Sequence, residues 1–390
     1  MTPARMLLRR RDYWRLAGAG QLSALPDGMT PLAYTLLTAA VLGSYRVGSL
    51  LVTAGVLAQA IAGPLIARLL DRVGTGRGLR GLLLMAGAGY AALAALAADV
   101  PEPALVVLAV LPALPNAALS GGVLAAISQA LPPKLLSPAI AMNDTLLEGT
   151  LIAGPLLAAA LAAIAATAAI GALALAMFLA AALLPRSASQ PHAGPAARVS
   201  LLTEPRLTPW LLAAAGTGVL FGSLEVGALG MAHRLHGGPG TAALLLTLVS
   251  GCSAPAGLIY TSLGHRLHCP PRRLTALLLA MPGCSMIAVA ATHSWLAAGP
   301  AIAALGLCTA PLITTQTLAA RTELPESQRA EGFTLLATAG SAGYGLGSLA
   351  VALLPLPAAQ LTGAGAALTA AVILATAPAG RSRTRACRRG

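Results

Sequence analysis

Charged residues are scarce in this sequence, at 9% of 390 residues, whereas soluble proteins carry about 25%. A water-facing surface cannot be built from so few charges. Hydrophobic residues make up 57%, and the mean hydropathy is +0.78. The apolar runs are long and unbroken, whereas a transmembrane β-barrel would show short alternating segments. The composition therefore predicts an all-α membrane protein, most of which faces lipid or other buried helices.

Cysteines and clustered acids are also few, and their scarcity bounds the chemistry. The five cysteines are widely spaced, which indicates neither a metal site nor a disulfide framework. No phosphate-binding loop with its lysine is present, and no aspartate cluster could hold magnesium-bound phosphate. We therefore expect no metal, no other cofactor and no enzyme activity. A membrane-embedded transferase and a sensor remain alternatives from other functional classes.

The positive charge does not indicate nucleic-acid binding. The net charge is +13, and every basic residue except Lys134 is an arginine. These residues lie in short clusters between apolar runs and form no continuous basic stretch. Together with the enrichment in alanine and glycine, the preference for arginine suggests a bacterial source of high GC content. No cleavable signal peptide is evident, so the first span itself should direct insertion.

Twelve segments are long and apolar enough to span a bilayer, which needs about 20 residues. They are 14–39, 48–70, 80–98, 104–130, 135–160, 166–184, 208–232, 240–264, 273–292, 296–320, 328–354 and 357–379. The least distinct boundary separates the fifth and sixth spans. A single helix over 135–184 would be about 75 Å long, more than twice the thickness of the hydrocarbon core. We therefore predict a tight hairpin near Ala162–Ala168.

The arginines and Lys134 fix the orientation. With an even number of spans, all of them except Arg46 and Arg234 fall on the side that holds both termini. Positive residues collect on the cytoplasmic side. We therefore predict a multi-pass protein of the bacterial cytoplasmic membrane with both termini in the cytoplasm.

The longest polar stretch, residues 185–207, divides the chain into two sets of six spans. We expect an N-terminal bundle over 1–184, a cytoplasmic loop over 185–207, and a C-terminal bundle with a basic tail over 208–390. A weak echo supports duplication, because "LSALPDG" places Asp27 in the first span and "FGSLEVG" places Glu225 in the seventh. Two pseudo-symmetric six-helix bundles are typical of a transporter whose binding site lies between them. We expect a monomer.

The loop after the second span, "GPLIARLLDRVGTGRGLR", resembles the signature between helices two and three of the major facilitator superfamily. Asp71, Arg72, Gly74 and Arg77 match it. The resemblance implies a loop that latches the two bundles on the cytoplasmic side and releases during the conformational cycle. From the residues alone, Gly74 permits a tight turn, and Asp71 could cap a helix or pair with an arginine. A short solvated loop is the alternative.

The fifth span carries a second resemblance, to the helix-five motif of drug/proton antiporters. Gly154 and Pro155 match that motif. Thr150 and Ala158-Ala159 replace its other glycines, so small residues that allow close helix packing persist. The pattern "NDTLLEG" before this Gly-Pro, with "EGFTLLATAGSAGYGLGS" in span eleven, is similar to a drug-efflux-like, actinobacterial-type branch of the superfamily. The resemblance covers nearly the whole chain.

Four acidic residues lie well inside spans, and a charged one facing lipid would cost at least about 2.5–3.5 kcal/mol. They are Asp27, Asp144, Glu148 and Glu225. Asp144 and Glu148 share a helix face, and Asn143 flanks it. We predict that these five residues line a water-accessible cavity. Two carboxylates one turn apart repel each other, which favours protonation of one. The alternative is a structural role: an interhelical hydrogen bond, pairing of Glu148 with an arginine of the cytoplasmic gate, or capping of a broken helix segment by Asp27.

Other polar and aromatic side chains give weaker signals. Gln21, Gln59, Asn116, Gln129 and Gln316 could contact a substrate or bridge helices, and Tyr34, Phe221 and Tyr344 are the best candidates to contact a flat one. The three tryptophans, Trp14, Trp210 and Trp295, lie near predicted interfaces and are typical of an aromatic belt.

The function predicted from these features is secondary active transport by alternating access. The cargo would be a small organic solute, most simply exported in exchange for protons, and the other partner is the lipid bilayer. An importer or uniporter for a metabolite, with the same fold, is the alternative within transport.

Overall fold

The computed structural model describes residues 11–184, 207–263, 270–323 and 329–377. Within these ranges the chain forms fourteen α-helices and no β-strand. The helices are α1 (Arg11–Leu42), α2 (Tyr45–Val73), α3 (Thr75–Leu96), α4 (Glu102–Asn116), α5 (Leu119–Ala130), α6 (Pro133–Ala162), α7 (Ala168–Leu183), α8 (Thr208–Val226), α9 (Ala228–Arg234), α10 (Pro239–Leu263), α11 (Pro271–Ala291), α12 (Trp295–Glu323), α13 (Arg329–Leu353) and α14 (Leu356–Thr376).

These helices form the twelve predicted spans, because two spans each consist of two helices. The fourth is broken between α4 and α5, where α4 ends at Asn116 and α5 begins at Leu119. The seventh is broken at Gly227, where a Cβ would lie 2.9 Å from a methyl group of Leu356. The predicted hairpin is confirmed, since α6 ends at Ala162 and α7 begins at Ala168.

The surface of the described helices is apolar in the manner of a chain surrounded by lipid. In the described residues, nine helices are long and apolar enough to cross a membrane, and α6 and α7 contain shorter apolar stretches, 146–162 and 168–183. Leu296, Ile164 and Ile61 expose 90%, 79% and 76% of their surface. These features support a multi-pass membrane protein.

The helices pack as two six-span bundles, α1–α7 and α8–α14. The core of the first includes Tyr13, Leu83 and Tyr90, and that of the second includes Trp210 and Met286. The prediction of an interfacial Trp210 is therefore wrong, because the side chain is 1% exposed. Its position near a span end does not show that neighbouring helices cover it.

The two bundles share a matching contact between the third span and the end of the sixth. Arg80 in α3 donates to the carbonyl oxygens of Ala181 (3.2 Å) and Leu184 (2.6 Å), at the end of α7. In the second bundle, Arg272 in α11 donates to the carbonyl of Ala377, just beyond α14, at 3.5 Å. In both bundles an arginine of the third span thus holds the end of the sixth, where helix carbonyls lack partners. This shared contact supports the pseudo-symmetry inferred from the sequence.

The bundles contact each other along α2 and α13. The Thr53 hydroxyl donates to Ser348 Oγ (2.9 Å), and the Ser348 hydroxyl donates to the Ser49 carbonyl (2.9 Å). All three residues are buried. They lie in the half of α2 nearest the α1–α2 turn, so this contact joins the bundles at the end opposite the predicted gate loop.

Candidate functional site

A cavity of about 550 Å3 lies between the two bundles; we call it the large chamber. Helices α1 to α4 line it on one side, and α8, α12 and α13 line it on the other. Its polar and aromatic lining comprises Asp27, Thr30, Tyr34, Gln59, Tyr90, Asn116, Thr217, Phe221, Glu225, Gln316, Thr317, Ser341 and Tyr344.

A second cavity of about 270 Å3, the small chamber, adjoins the first. Helices α6 and α10 contribute Glu148, Pro155, Ser250 and Ser253, and α12 contributes Thr309 and Thr314. Five residues line both chambers, and we call them the junction: Asp27, Pro31, Phe221, Glu225 and Ile313. The junction thus contains one carboxylate from each bundle.

The first junction acid, Asp27, is exposed to the chambers even though it lies in the middle of α1. Proline residues flank it at positions 26 and 31. Because Pro31 has no N–H, the Asp27 carbonyl lacks its usual helical partner, which weakens α1 locally. No described residue donates a hydrogen bond to the Asp27 carboxylate. Its charge is therefore available to water or to a cargo.

The second junction acid, Glu225, is held by a neighbour. The Tyr344 hydroxyl of α13 donates to Glu225 Oε2 at 2.8 Å. Glu225 is half-buried and lies two residues before the break between α8 and α9. The bond occupies one carboxylate oxygen and orients the other.

The predicted polar face of the fifth span is distributed over two places. Glu148 is half-buried and lines the small chamber. Asn143 lies in the contact between α6 and α1, where Gln21 Nε2 donates to Asn143 Oδ1 and to its carbonyl oxygen, both at 3.4 Å. Gln21 Oε1 in turn accepts from Thr150 Oγ1 at 2.8 Å. The side chain of Asp144 lies outside the described part of the structure.

The Gly-Pro pair of the fifth span lies next to the junction. A Cβ on Gly154 would lie 2.8–3.0 Å from the backbone of Gly28 in α1, so a larger residue would push these helices apart. Pro155 lines the small chamber beside Glu148. The closeness of α1 and α6 here places the small chamber directly beside Asp27.

The residues of the predicted gate loop join α2 to α3. Gly74 separates these helices with φ +93°, a conformation that favours glycine. Asp71 and Arg72 end α2 and Arg77 belongs to the first turns of α3. The Asp71 side chain lies outside the described residues. The loop is remote from the α2–α13 contact.

Some chamber residues did not stand out in the sequence. Tyr90 accepts a hydrogen bond from Asn116 Nδ2 at 2.9 Å, and Thr217 accepts one from Gln316 Nε2 at 2.8 Å. A hint of Tyr90 was available, since it is the one polar side chain in the apolar run "MAGAGYAALAAL". Thr217 gave no such signal, because a threonine inside a helix usually bonds its own backbone.

The ionised side chains in the described lining of the two chambers are all acidic. Among the described lining residues there are three carboxylates, on Asp27, Glu148 and Glu225, and no lysine, arginine or histidine. The described residues contain no group of three or more histidine, cysteine or acidic side chains that could hold a metal ion. Carboxylates within a membrane are tolerated where they face a cavity or a partner. This arrangement can bind protons or a positively charged group.

A sequence model described as the Major Facilitator Superfamily matches residues 16–348. Similar solved structures include a mutant of the nucleoside transporter NupG, with TM-score 0.74 and 11% identity over 93% of this chain and 98% of that one. A mutant of the peptide transporter POT gives TM-score 0.73 and 15% identity, covering 93% of both chains.

A bacterial homologue of the human lysosomal transporter Spinster, in an inward-facing and occupied conformation, gives TM-score 0.71. Its identity is 15%, over 96% of this chain and 95% of that one. At such identities these structures show a shared fold and nothing about cargo. No curated protein sequence matches the chain.

Proposed function

The chain belongs to the Major Facilitator Superfamily, and on this premise we propose that it is a secondary active transporter that exports a small organic solute in exchange for protons. The proposal rests on one observation above all. Two adjoining chambers lie between the bundles, and each bundle contributes one carboxylate to their junction, Asp27 and Glu225.

The two-bundle architecture supports alternating access. Rocking of one bundle against the other would expose the junction first to one side of the membrane and then to the other. The buried α2–α13 contact through Thr53 and Ser348 supports a state that is closed at the end of the α1–α2 turn. In this proposal the loop with Asp71, Arg72, Gly74 and Arg77 closes the opposite end in the other state.

Exchange with protons follows from the junction chemistry. A carboxylate that binds a proton loses its attraction for a positive group, so cargo and proton compete for the same oxygens. The titratable groups lining the chambers with Asp27 and Glu225 are Glu148 and the phenols of Tyr34, Tyr90 and Tyr344. We propose that Asp144, which lies one turn before Glu148 on α6, also takes part in binding protons.

The membrane placement is part of the proposal. The arginine distribution supports cytoplasmic termini in a bacterial cytoplasmic membrane. Boundaries at 1–184, 185–207 and 208–390 would separate the N-terminal bundle, the cytoplasmic loop and the C-terminal bundle. The site is complete within one chain, which supports a functional monomer.

The decisive experiment measures solute movement in proteoliposomes, with and without an imposed pH gradient. A panel of cationic, neutral and anionic radiolabelled solutes should contain at least one whose accumulation depends on the gradient. Asp27→Asn and Glu225→Gln should each reduce that accumulation by about tenfold or more, because each removes an ionisable group from the junction. Glu148→Gln should have a smaller effect, since Glu148 lines only the small chamber.

The matched controls are Asp99→Asn and Glu102→Gln, which remove the same chemical groups from exposed positions in the loop before α4 and at its start. Both should transport like the unmodified protein. Full gradient-driven transport by both Asp27→Asn and Glu225→Gln would contradict the proton exchange. Transport that ignores the gradient in every variant would favour the uniporter alternative, and accumulation in the opposite direction would favour an importer.

A further inference from the structure

The large chamber combines negative charge with aromatic surface. Asp27 and Glu225 lie at one of its boundaries, the junction. Four aromatic residues, Tyr34, Tyr90, Phe221 and Tyr344, also line it, although aromatic residues make up only 3% of the chain. Phe221 and Tyr344 are half-buried, whereas Tyr34 and Tyr90 are buried. Aromatic side chains are thus gathered at the chamber, and the faces of such rings attract cations.

The carboxylates keep oxygens available at the junction. Tyr344 occupies Glu225 Oε2, and no described residue donates to the Asp27 carboxylate. Because the described lining holds no basic side chain, nothing there neutralises these two charges in the way an arginine would. A cargo that brings its own positive charge would do so.

The chamber disfavours the other main charge classes. An anionic cargo would meet two carboxylates in a medium of low dielectric, where like charges repel strongly. A sugar-like neutral cargo would need many polar partners, yet much of the lining is apolar, including Leu51, Val52, Ala113, Ala214 and Leu336. Only a cation with a large apolar body matches both the charge and the lining.

We propose that the cargo is a lipophilic organic cation, whose charge lies at the junction between Asp27 and Glu225 and whose apolar body lies against the apolar and aromatic lining of the large chamber, with Phe221 and Tyr344 as the half-buried aromatic contacts. This inference rests on the proposed transport function and adds the cargo class to it. The small chamber accommodates any cationic extension of the cargo, beside the Glu148 carboxylate and the hydroxyls of Ser250 and Ser253.

The test uses two ions of the same shape and opposite charge, tetraphenylphosphonium and tetraphenylborate. Each radiolabelled ion is equilibrated separately with the purified full chain in detergent, and binding to protein-free micelles is subtracted. We expect saturable binding of tetraphenylphosphonium and none of tetraphenylborate. Because this comparison uses the unmodified protein, it does not depend on whether any variant folds.

Variants then locate the binding site. Asp27→Asn and Glu225→Gln should each weaken tetraphenylphosphonium binding by about tenfold or more, since each leaves the cation without one partner. Asp99→Asn and Glu102→Gln should leave the Kd within about twofold, because exposed charges outside the chambers are screened. Size-exclusion profiles identify any variant that has lost its fold.

Three results would overturn the inference: tetraphenylborate binding as tightly as tetraphenylphosphonium, saturable binding of neither ion, or an unchanged Kd in both junction variants. These results are separable from failure of the transport proposal. Tetraphenylphosphonium that binds but never crosses the proteoliposome membrane would contradict transport and leave the cation site standing. If the gradient moved only neutral or anionic solutes, the transport proposal would stand and the cation site would be contradicted.

Discussion

The two bundles carry an acid in the same place but hold it differently. In both, the acid lies in the first span, and that span packs against the fifth. We call these two helix contacts the α1–α6 seam and the α8–α13 seam. Across the α8–α13 seam, Tyr344 donates to Glu225. At the α1–α6 seam, α6 supplies the acid Glu148 near Asp27, and both residues line the small chamber. One junction carboxylate is thus fixed by a neighbour, whereas the other is exposed and unbonded among the described residues.

The packing of the two seams differs in the same direction. Glycines dominate the α8–α13 seam, where a Cβ on Gly222 would overlap the Tyr344 carbonyl and one on Gly347 would overlap the Val219 carbonyl. The α1–α6 seam has one such close approach, between Gly28 and Gly154, and is bridged by the Gln21 amide. Small residues let the backbones of neighbouring helices approach closely. We therefore expect the pair α8 and α13 to be the stiffer support for the site.

The largest expected effect is on stability, when a methyl group is added to a glycine of the α8–α13 seam. Gly222→Ala should lower stability by about 1–3 kcal/mol, because the added Cβ has no room and the helices must separate. Gly28→Ala should cost less, since its Cβ would lie 3.3 Å or more from its neighbours. The measurement is the thermal midpoint of each purified variant in detergent.

The control for this series is Gly365→Ala on α14, where a Cβ meets nothing within 4 Å. It should be neutral or stabilising by up to about 1 kcal/mol, as expected for alanine in an open helical position. Equal losses for Gly222→Ala and Gly28→Ala would show that the two seams are alike and would remove the contrast between the bundles.

A smaller effect should come from changing the reach of each acid while keeping its charge. Glu225→Asp shortens the side chain and withdraws it from Tyr344, so tetraphenylphosphonium affinity and gradient-driven uptake should fall by about tenfold. Asp27→Glu extends an exposed side chain into open space and should change both by no more than about twofold. The two variants are compared by equilibrium binding of tetraphenylphosphonium and by uptake into proteoliposomes.

The reverse order of these effects would mean that Asp27 is the precisely placed acid, and the comparison between the bundles would then be inverted. Tyr344→Phe separates the two causes of a loss in Glu225→Asp. If orientation by the tyrosine matters, removing its hydroxyl should reproduce most of that loss with the glutamate unchanged.

The fold was predictable because its determinants are local and repeated. Apolar length gave the twelve spans, and the physical limit on helix length required the hairpin before Ala168. The sequence could not show that Gly227 breaks the seventh span, since glycine inside a helix is tolerated when nothing crowds it. The neighbour that leaves no room for a larger side chain there, Leu356, is far away in the chain.

The candidate site was only partly predictable, because a buried polar residue reveals that it needs a partner but not which one. Asp27 and Glu225 stood out as acids within apolar runs, and the structure places both at the junction. Asn143 stood out equally, yet it lies against Gln21 between α1 and α6. The bond between Glu225 and Tyr344 joins residues 119 positions apart, and no periodicity within either helix encodes it.

The smallest expected effect concerns the contact between the bundles, which would form and break in every cycle of the proposed alternating access and so should not be strong. Thr53 and Ser348 share one buried hydrogen bond across it. In a double-mutant cycle, Thr53→Val and Ser348→Ala should show a coupling of about 0.6 kcal/mol, the average for hydrogen bonds between membrane helices. Unfolding in mixed micelles gives the free energies.

Thr376→Val is the control, because Thr376 bonds only within α14, and its effect on stability should add to that of Thr53→Val without coupling. A coupling near zero would mean that packing alone closes this end, whereas several kcal/mol would hold the bundles too firmly together for exchange between states.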